Sequence, residues 1–341
     1  MPLNIKNKVL NVGSSPHIKS GYSVDTIMRH VVYALLPVAA FAVYSFGLAA
    51  LLVLATSVIS CLATEHLLAK QYNQSSTIGD WSAVITGIIY ALTLPPGLPL
   101  WMVFMGGVIG IALGKLLFGG LGSNVFNPAL VARAFLQAAF PASLTHWTPA
   151  FTDDRFTSLP SSTLTLPFLS PVYDAVSSAT PLAAMKFSHE STAVSDLLFG
   201  LTDGSLGETS SIIILLGGVY LVARNMMNWR IPVGIFLAVI VLSSLFHWLQ
   251  PDHYPGPVFM LFSGGLMLGA VFMATDMVAS PITNLGCFIY GVMIGALIVI
   301  IRYWSGLPEG VMYAILFMNA VSPHIDNFIQ PVVFGSRGTD R

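Results

Sequence analysis

The sequence is short of charge. Only 9% of its 341 residues are Asp, Glu, Lys or Arg, against about 25% in a soluble domain. Fourteen Lys and Arg face fifteen Asp and Glu. No basic excess is left to neutralise phosphates, so nucleic-acid binding is excluded. Cysteine is scarce too. Cys61 and Cys287 stand alone in separate apolar runs without a Cys-x-x-Cys partner. An iron–sulfur cluster normally needs four thiolates, so both read as core residues. The eight histidines show no metal-ligand spacing, and no metal site is expected. A nucleotide-binding glycine motif is also lacking, which excludes a dinucleotide site of the common kind.

What is there is apolar. Hydrophobic residues make up 55% of the chain, with a mean hydropathy of +0.78. Long uncharged apolar runs are solvated by lipid, so the expected fold class is an all-α polytopic membrane protein. Barrel strands would alternate in polarity, and these runs do not. Ten spans are read: Thr26–Phe46, Leu48–Lys70, Trp81–Leu94, Trp101–Phe118, Asn124–Phe140, Ser210–Ala223, Ile231–Leu249, Pro257–Ala274, Leu285–Trp304, and Gly310 to Pro323 or a little beyond. The chain divides into an N-terminal segment (1–25), a first five-helix unit (26–140), a polar loop (141–209), a second five-helix unit (210–325) and a C-terminal tail (326–341).

Cytoplasmic loops are enriched in Lys and Arg. With both termini cytoplasmic, the inner set is Lys6, Lys8, Lys19, Arg29, Lys70, Lys115, Arg224, Arg230, Arg337 and Arg341, and the outer set is Arg155, Lys186 and Arg302. That bias puts the acidic 141–209 loop outside. The N-terminus lacks a cleavable signal peptide's apolar core.

The two units read as a repeat. Gly87-Ile-Ile-Tyr-Ala-Leu-Thr93 matches Gly269-Ala-Val-Phe-Met-Ala-Thr275, and Phe126-Asn127-Pro128-Ala129 matches Phe317-Met318-Asn319-Ala320. Five is odd, so the second copy is inverted. Broken segments at matching positions of inverted repeats mark a midplane site in transport proteins. Span three is such a segment. Its fourteen residues reach about 21 Å, short of the ~30 Å hydrocarbon core, and Pro95 and Pro96 stop it. Thr93, Thr275 and Asp276 at the two breaks are therefore candidates for an ion path. Glu65 and Asp80 sit near span ends, attracting cations or simply lying at the interface. Arg133, inside span five, pairs with an anionic ligand or another span's carboxylate, or satisfies backbone carbonyls. Asn124 and Asn127 open the same span, as ligand contacts or as an ordinary N-cap.

The outer loop contains Asp174-Ala-Val-Ser177-Ser178-Ala179-Thr180-Pro181-Leu182. This stretch resembles the flavinylation site of the D component of the Rnf ion-translocating oxidoreductase, and of the related B component of the Na⁺-translocating NADH:quinone reductase. The family pattern is Ser-Gly-Ala-Thr; here Ser178 replaces the Gly and the acceptor Thr180 remains. Similar stretches are Asp80–Gly87, Leu92–Pro96 and Asn124–Phe135, so the resemblance covers nearly the whole chain. The short N-terminus and Thr180-Pro181-Leu182 favour the Rnf D component. The resemblance implies a five-plus-five inverted repeat similar to urea and ammonium channels. It also implies FMN joined through its phosphate to the Thr180 hydroxyl, with Ser177, Ser178 and Ala179 around that phosphate. A second, non-covalent flavin (riboflavin or FMN) is implied near the cytoplasmic side, with Asn124, Asn127 and Arg133 as cofactor contacts. The implied role is a redox relay in a bacterial inner-membrane complex that passes electrons between ferredoxin and NAD⁺ while Na⁺ or H⁺ crosses. The implied partners are membrane iron–sulfur subunits, an NADH-side subunit, a periplasmic flavoprotein subunit and a flavin transferase. The alternative from another class is a urea- or ammonium-type channel without redox activity.

Overall fold

A computed structural model describes residues 23–71, 78–169, 171, 178–208, 210–251 and 253–331. Among them the architecture is helical throughout, with one isolated β-bridge between Trp147 and Ser178. The first unit comprises α1 (Val24–Phe46), α2 (Leu48–Gln71), α3 (Ser82–Leu92), α4 (Leu100–Gly114) and α5 (Pro128–Ala139). The 141–209 segment holds the short helices α6 (Pro141–Leu144), α7 (Pro181–Ala183) and α8 (Val194–Phe199). The second unit comprises α9 (Ser211–Ala223), α10 (Arg230–Leu249), α11 (Pro257–Phe262), α12 (Leu266–Leu268), α13 (Asn284–Trp304) and α14 (Val311–Phe328). Five of these helices are long and apolar enough to cross a membrane. The chain is a polytopic all-α membrane protein.

Neighbours repeat between the units. In the first, α2 packs on α3 and α4, and α4 packs on α5; in the second, α10 packs on α11 and α13, and α13 on α14. Across the units α1 meets α9, and α5 meets α14. His30 Nδ1 and Tyr220 Oη share a 2.5 Å hydrogen bond at the first of these contacts. Within each unit the packing is close because glycines remove side chains from the seams. A Cβ on Gly291 would run into the Ile231 carbonyl oxygen, and one on Gly295 would lie 2.5 Å from that of Ile235. In the absence of a hydrophobic force between helices in lipid, such backbone approach is a main source of helix association.

Several span limits differ from those read in the sequence. Span three's helix is eleven residues, Ser82–Leu92. The αL residue Trp81 precedes it, and Thr93 and Leu94 form the turn into Pro95. Span five begins only at Pro128, because the Asn127 side chain accepts from the Ala129 N–H and caps the helix there. Asn124 therefore lies before the helix and not on it. Span eight carries a break inside it: α11 ends at Phe262, Ser263 is extended, and Gly264 has φ 65°. After α12 the chain continues as a π-turn, Gly269–Met273. Span ten runs through Pro323 to Phe328. A proline costs a helix one N–H bond, which packed membrane helices tolerate.

Candidate functional site: two helix breaks, a cleft and a capped threonine

A cleft of about 890 Å³, its open mouth included, lies between the two units. Its lining combines apolar side chains, among them Ile85, Ile89, Phe272 and Met227, with the polar Thr86, Lys115, Asn124, Asn127, Thr275 and Asp276. The fold brings these polar groups in from both halves. Asn124 Nδ2 donates to Asp276 Oδ2 at 3.4 Å. Asn127 Nδ2 donates to the Met273 carbonyl at 3.2 Å, where the π-turn ends. Asp276 Oδ1 also accepts the Val278 N–H, and the Thr275 hydroxyl is spent on the Val271 carbonyl.

Lys115 is 2% exposed. Its Nζ donates to Glu65 Oε1 at 2.7 Å and to Ser82 Oγ at 2.6 Å. Ser82 Oγ donates in turn to Asp80 Oδ1. Glu65, Lys115, Ser82 and Asp80 thus form one buried polar chain at the edge of the cleft. A charge removed from water needs such a partner. The sequence count of cations treats Lys115 as a loop charge; it is an interior one.

The breaks themselves are each held by an arginine. Arg133 Nη1 donates to the Thr93 carbonyl, freed where α3 stops. Arg302 is 3% exposed and donates to the carbonyls of Met260 (2.6 Å) and Ser263 (2.9 Å), where α11 stops. It also pairs with Glu309 at 3.3 Å. Freed carbonyls inside a membrane must meet a donor, and a guanidinium presents several in a rigid fork. Arg302, counted among the outer loop charges, is likewise interior. The Thr93 hydroxyl turns back to the Tyr90 carbonyl, so Thr93 presents its backbone to Arg133. Arg133 and Thr93 do not line the cleft that Asn124, Asn127, Thr275 and Asp276 share.

Thr180 lies at a third place. It is the N-cap of α7, 6% exposed, and its Oγ1 accepts the Ala183 N–H at 3.3 Å. Pro181 follows at the first helical position, where its missing N–H costs nothing. Ser178 is engaged elsewhere: its N–H and Oγ both donate to the Trp147 carbonyl, at 3.2 and 3.4 Å. Ala179 is exposed. Ser177 lies outside the described residues. Both cysteines are free and buried, and no group of metal-ligating side chains occurs among the described residues.

The model of the NQR2, RnfD, RnfE family matches residues 11–335. The chain belongs to this family. Three relatives, each the D component of its complex, are similar to it over nearly their whole length. That of the proton-translocating ferredoxin:NAD(+) oxidoreductase complex of Clostridium ljungdahlii is 40% identical over 98% of both chains. That of the Na(+)-translocating ferredoxin:NAD(+) oxidoreductase complex of Acetobacterium woodii is 41% identical, over 96% of this chain and 95% of the relative. That of the ion-translocating oxidoreductase complex of Stutzerimonas stutzeri is 40% identical over 92% of each.

For this family member, sequence reasoning found Asn124, Asn127, Thr275 and Asp276, and the fold gathers them into one cleft. It did not single out Lys115 or Arg302. A lysine or arginine inside an otherwise uncharged run was the available signal.

Proposed function

We propose that this chain is the flavin-carrying membrane subunit, the D component, of an ion-translocating ferredoxin:NAD⁺ oxidoreductase, with FMN esterified through its phosphate to Thr180. The observation that carries the reading is the full-length family match together with a threonine hydroxyl held at a helix N-cap in the stretch that resembles the flavinylation site. The residues fit the group. A phosphate on Oγ1 comes to lie beside the Ala183 N–H that the hydroxyl already meets, a donor that suits an anionic oxygen. FMN supplies the electron-carrying chemistry; the protein supplies position and surroundings. With the 141–209 segment outside and the termini inside the bacterial inner membrane, Thr180 is on the outer side.

The cleft between the units fits a second, non-covalent flavin, riboflavin or FMN. Its apolar side chains suit a flat ring, while Asn124, Asn127 and Thr86 offer amides and a hydroxyl. Lys115 contributes a buried positive charge at the edge. The rest of the complex supplies the ferredoxin and NAD⁺ sites, the iron–sulfur membrane subunits and the outer flavoprotein subunit. A flavin transferase loads Thr180.

The test uses the complete complex in sealed vesicles, with ferredoxin as reductant and NAD⁺ as acceptor. Electron transfer should build an ion gradient, and Thr180→Ala should stop both while the subunit stays inserted. Passive urea or ammonium flux with no redox dependence would support the channel alternative instead.

A further inference from the structure

Charged side chains stand at both helix breaks, apart from the cleft and from Thr180. Leu206 and Gly207 donate their N–H groups to the carbonyls of Leu94 (3.0 Å) and Leu92 (2.6 Å). The loop before α9 is thereby pinned into the break of α3, and it delivers Glu208 there. The turn before α14 delivers Glu309 to the other break. Glu309 Oε2 accepts the Gly265 N–H at 3.0 Å, and Oε1 accepts the Val311 N–H at 3.2 Å. Glycine is required beside it: a Cβ on Gly264 would collide with Glu309 Oε2. Arg133 reaches the same break as the Glu208 loop, through the Thr93 carbonyl, and that loop also packs on α12 beside the other break, where a Cβ on Gly207 would lie 2.6 Å from Leu268 Cδ2.

A second observation points to a guest. Ser263 is fully buried and its Oγ has no partner among the described residues; the Nε of Arg302, 3% exposed, has none either. The two residues touch, since Arg302 Nη2 donates to the Ser263 carbonyl. Buried polar atoms of this kind are normally met by ordered water.

We propose that Glu208 and Glu309, with Arg133 between the halves, form a proton-binding station on the ion path, reached through water held by Ser263 and Arg302.

The chemistry favours a proton over a metal cation. Glu309 already spends its oxygens on two N–H groups and Arg302. Arg133 repels a bare cation. A proton needs only one lone pair. Burial, and next the charge of Glu309, push the Glu208 carboxyl up to about 7; Ser205 and Arg133 pull the other way. Glu208 therefore exchanges its proton around neutral pH. Glu309 and Arg133 are the charged groups that face it, with Tyr313 acting on Arg133 and Arg302 paired to Glu309.

The proposal rests on the reading that this chain takes part in ion translocation, but its residues are separate from both flavin sites. The complete complex is compared with Glu208→Gln and Glu208→Asp, in two measurements. Infrared difference spectra taken across neutral pH, without turnover, read the carboxyl directly. Ion movement per electron is then read in sealed vesicles. The expected result is a carboxyl titration that Glu208→Gln abolishes and Glu208→Asp shifts, with loss of ion movement per electron in Glu208→Gln at unchanged flavin content. An unchanged titration in either variant overturns the proposal, as does Na⁺ displacing the wild-type titration, or full ion movement per electron in Glu208→Gln. If the wild-type complex moves no ion, the functional reading fails while the infrared titration still decides the station. If Glu208→Gln does not assemble, the shift in Glu208→Asp decides it.

Discussion

The backbone N–H of Asn127, at the head of α5, donates to the side-chain oxygen of Asn319, in the middle of α14, at 3.2 Å. The Asn319 nitrogen donates to the Ile315 carbonyl and to Tyr290 Oη. One buried amide thus satisfies an otherwise free helix-start N–H of the first unit and two acceptors of the second. In the two repeat segments, Phe126–Ala129 and Phe317–Ala320, these asparagines stand one position apart.

Asn319→Ala should therefore loosen the contact between the units. It strands a buried N–H, and such a loss costs about 1–3 kcal/mol. Thermal unfolding of the purified complex should shift down, and bound flavin in the cleft should fall with it. An unchanged melting temperature would show that the units are held together elsewhere.

The pair Lys115–Glu65 predicts a distinctive pattern. Lys115→Met leaves a buried carboxylate without its cation, which costs roughly 3–5 kcal/mol. Adding Glu65→Leu to it should recover much of the loss, since an apolar pair of similar volume is often no less stable. The yield and melting temperature of the assembled complex read this. A double variant as poor as the single one would mean that the chain through Ser82 and Asp80 is needed as a unit.

Gly291→Ala tests the α10–α13 seam. The new methyl runs into the Ile231 carbonyl, so the helices must separate, at a cost of about 1–3 kcal/mol. Gly306→Ala is the control, because nothing lies within 4 Å of a Cβ there. Equal melting temperatures for the two variants would contradict the close packing.

Much of this fold was legible in the sequence. Spans two, seven and nine are uninterrupted apolar runs, and their helices start and stop within a residue or so of the expected limits. The end of span three was legible because Pro95 and Pro96 leave it no choice. The break at Ser263–Gly265 was not, since its cause is the Glu309 carboxylate folding onto it from 44 residues away. Span ten was read to Pro323 or a little beyond, and packing carries α14 on to Phe328. The partners of Lys115 and Arg302 could not be read either, because Glu65 is 50 residues from its lysine in the chain, and Arg302 serves the backbone of another helix. In the outer loop, Thr180 stood out through a family resemblance. Its place as an N-cap is also plain from the following proline.

The central claim is that Thr180 carries FMN, and peptide mass spectrometry tests it most directly. The subunit, isolated from its own complex, is digested, and the peptide containing Thr180 is fragmented. The account predicts an added mass of FMN less one water on that peptide, localised to Thr180 and absent in Thr180→Ala. An unmodified Thr180 in a complex that transfers electrons at full rate would contradict it, as would flavin found on any other residue.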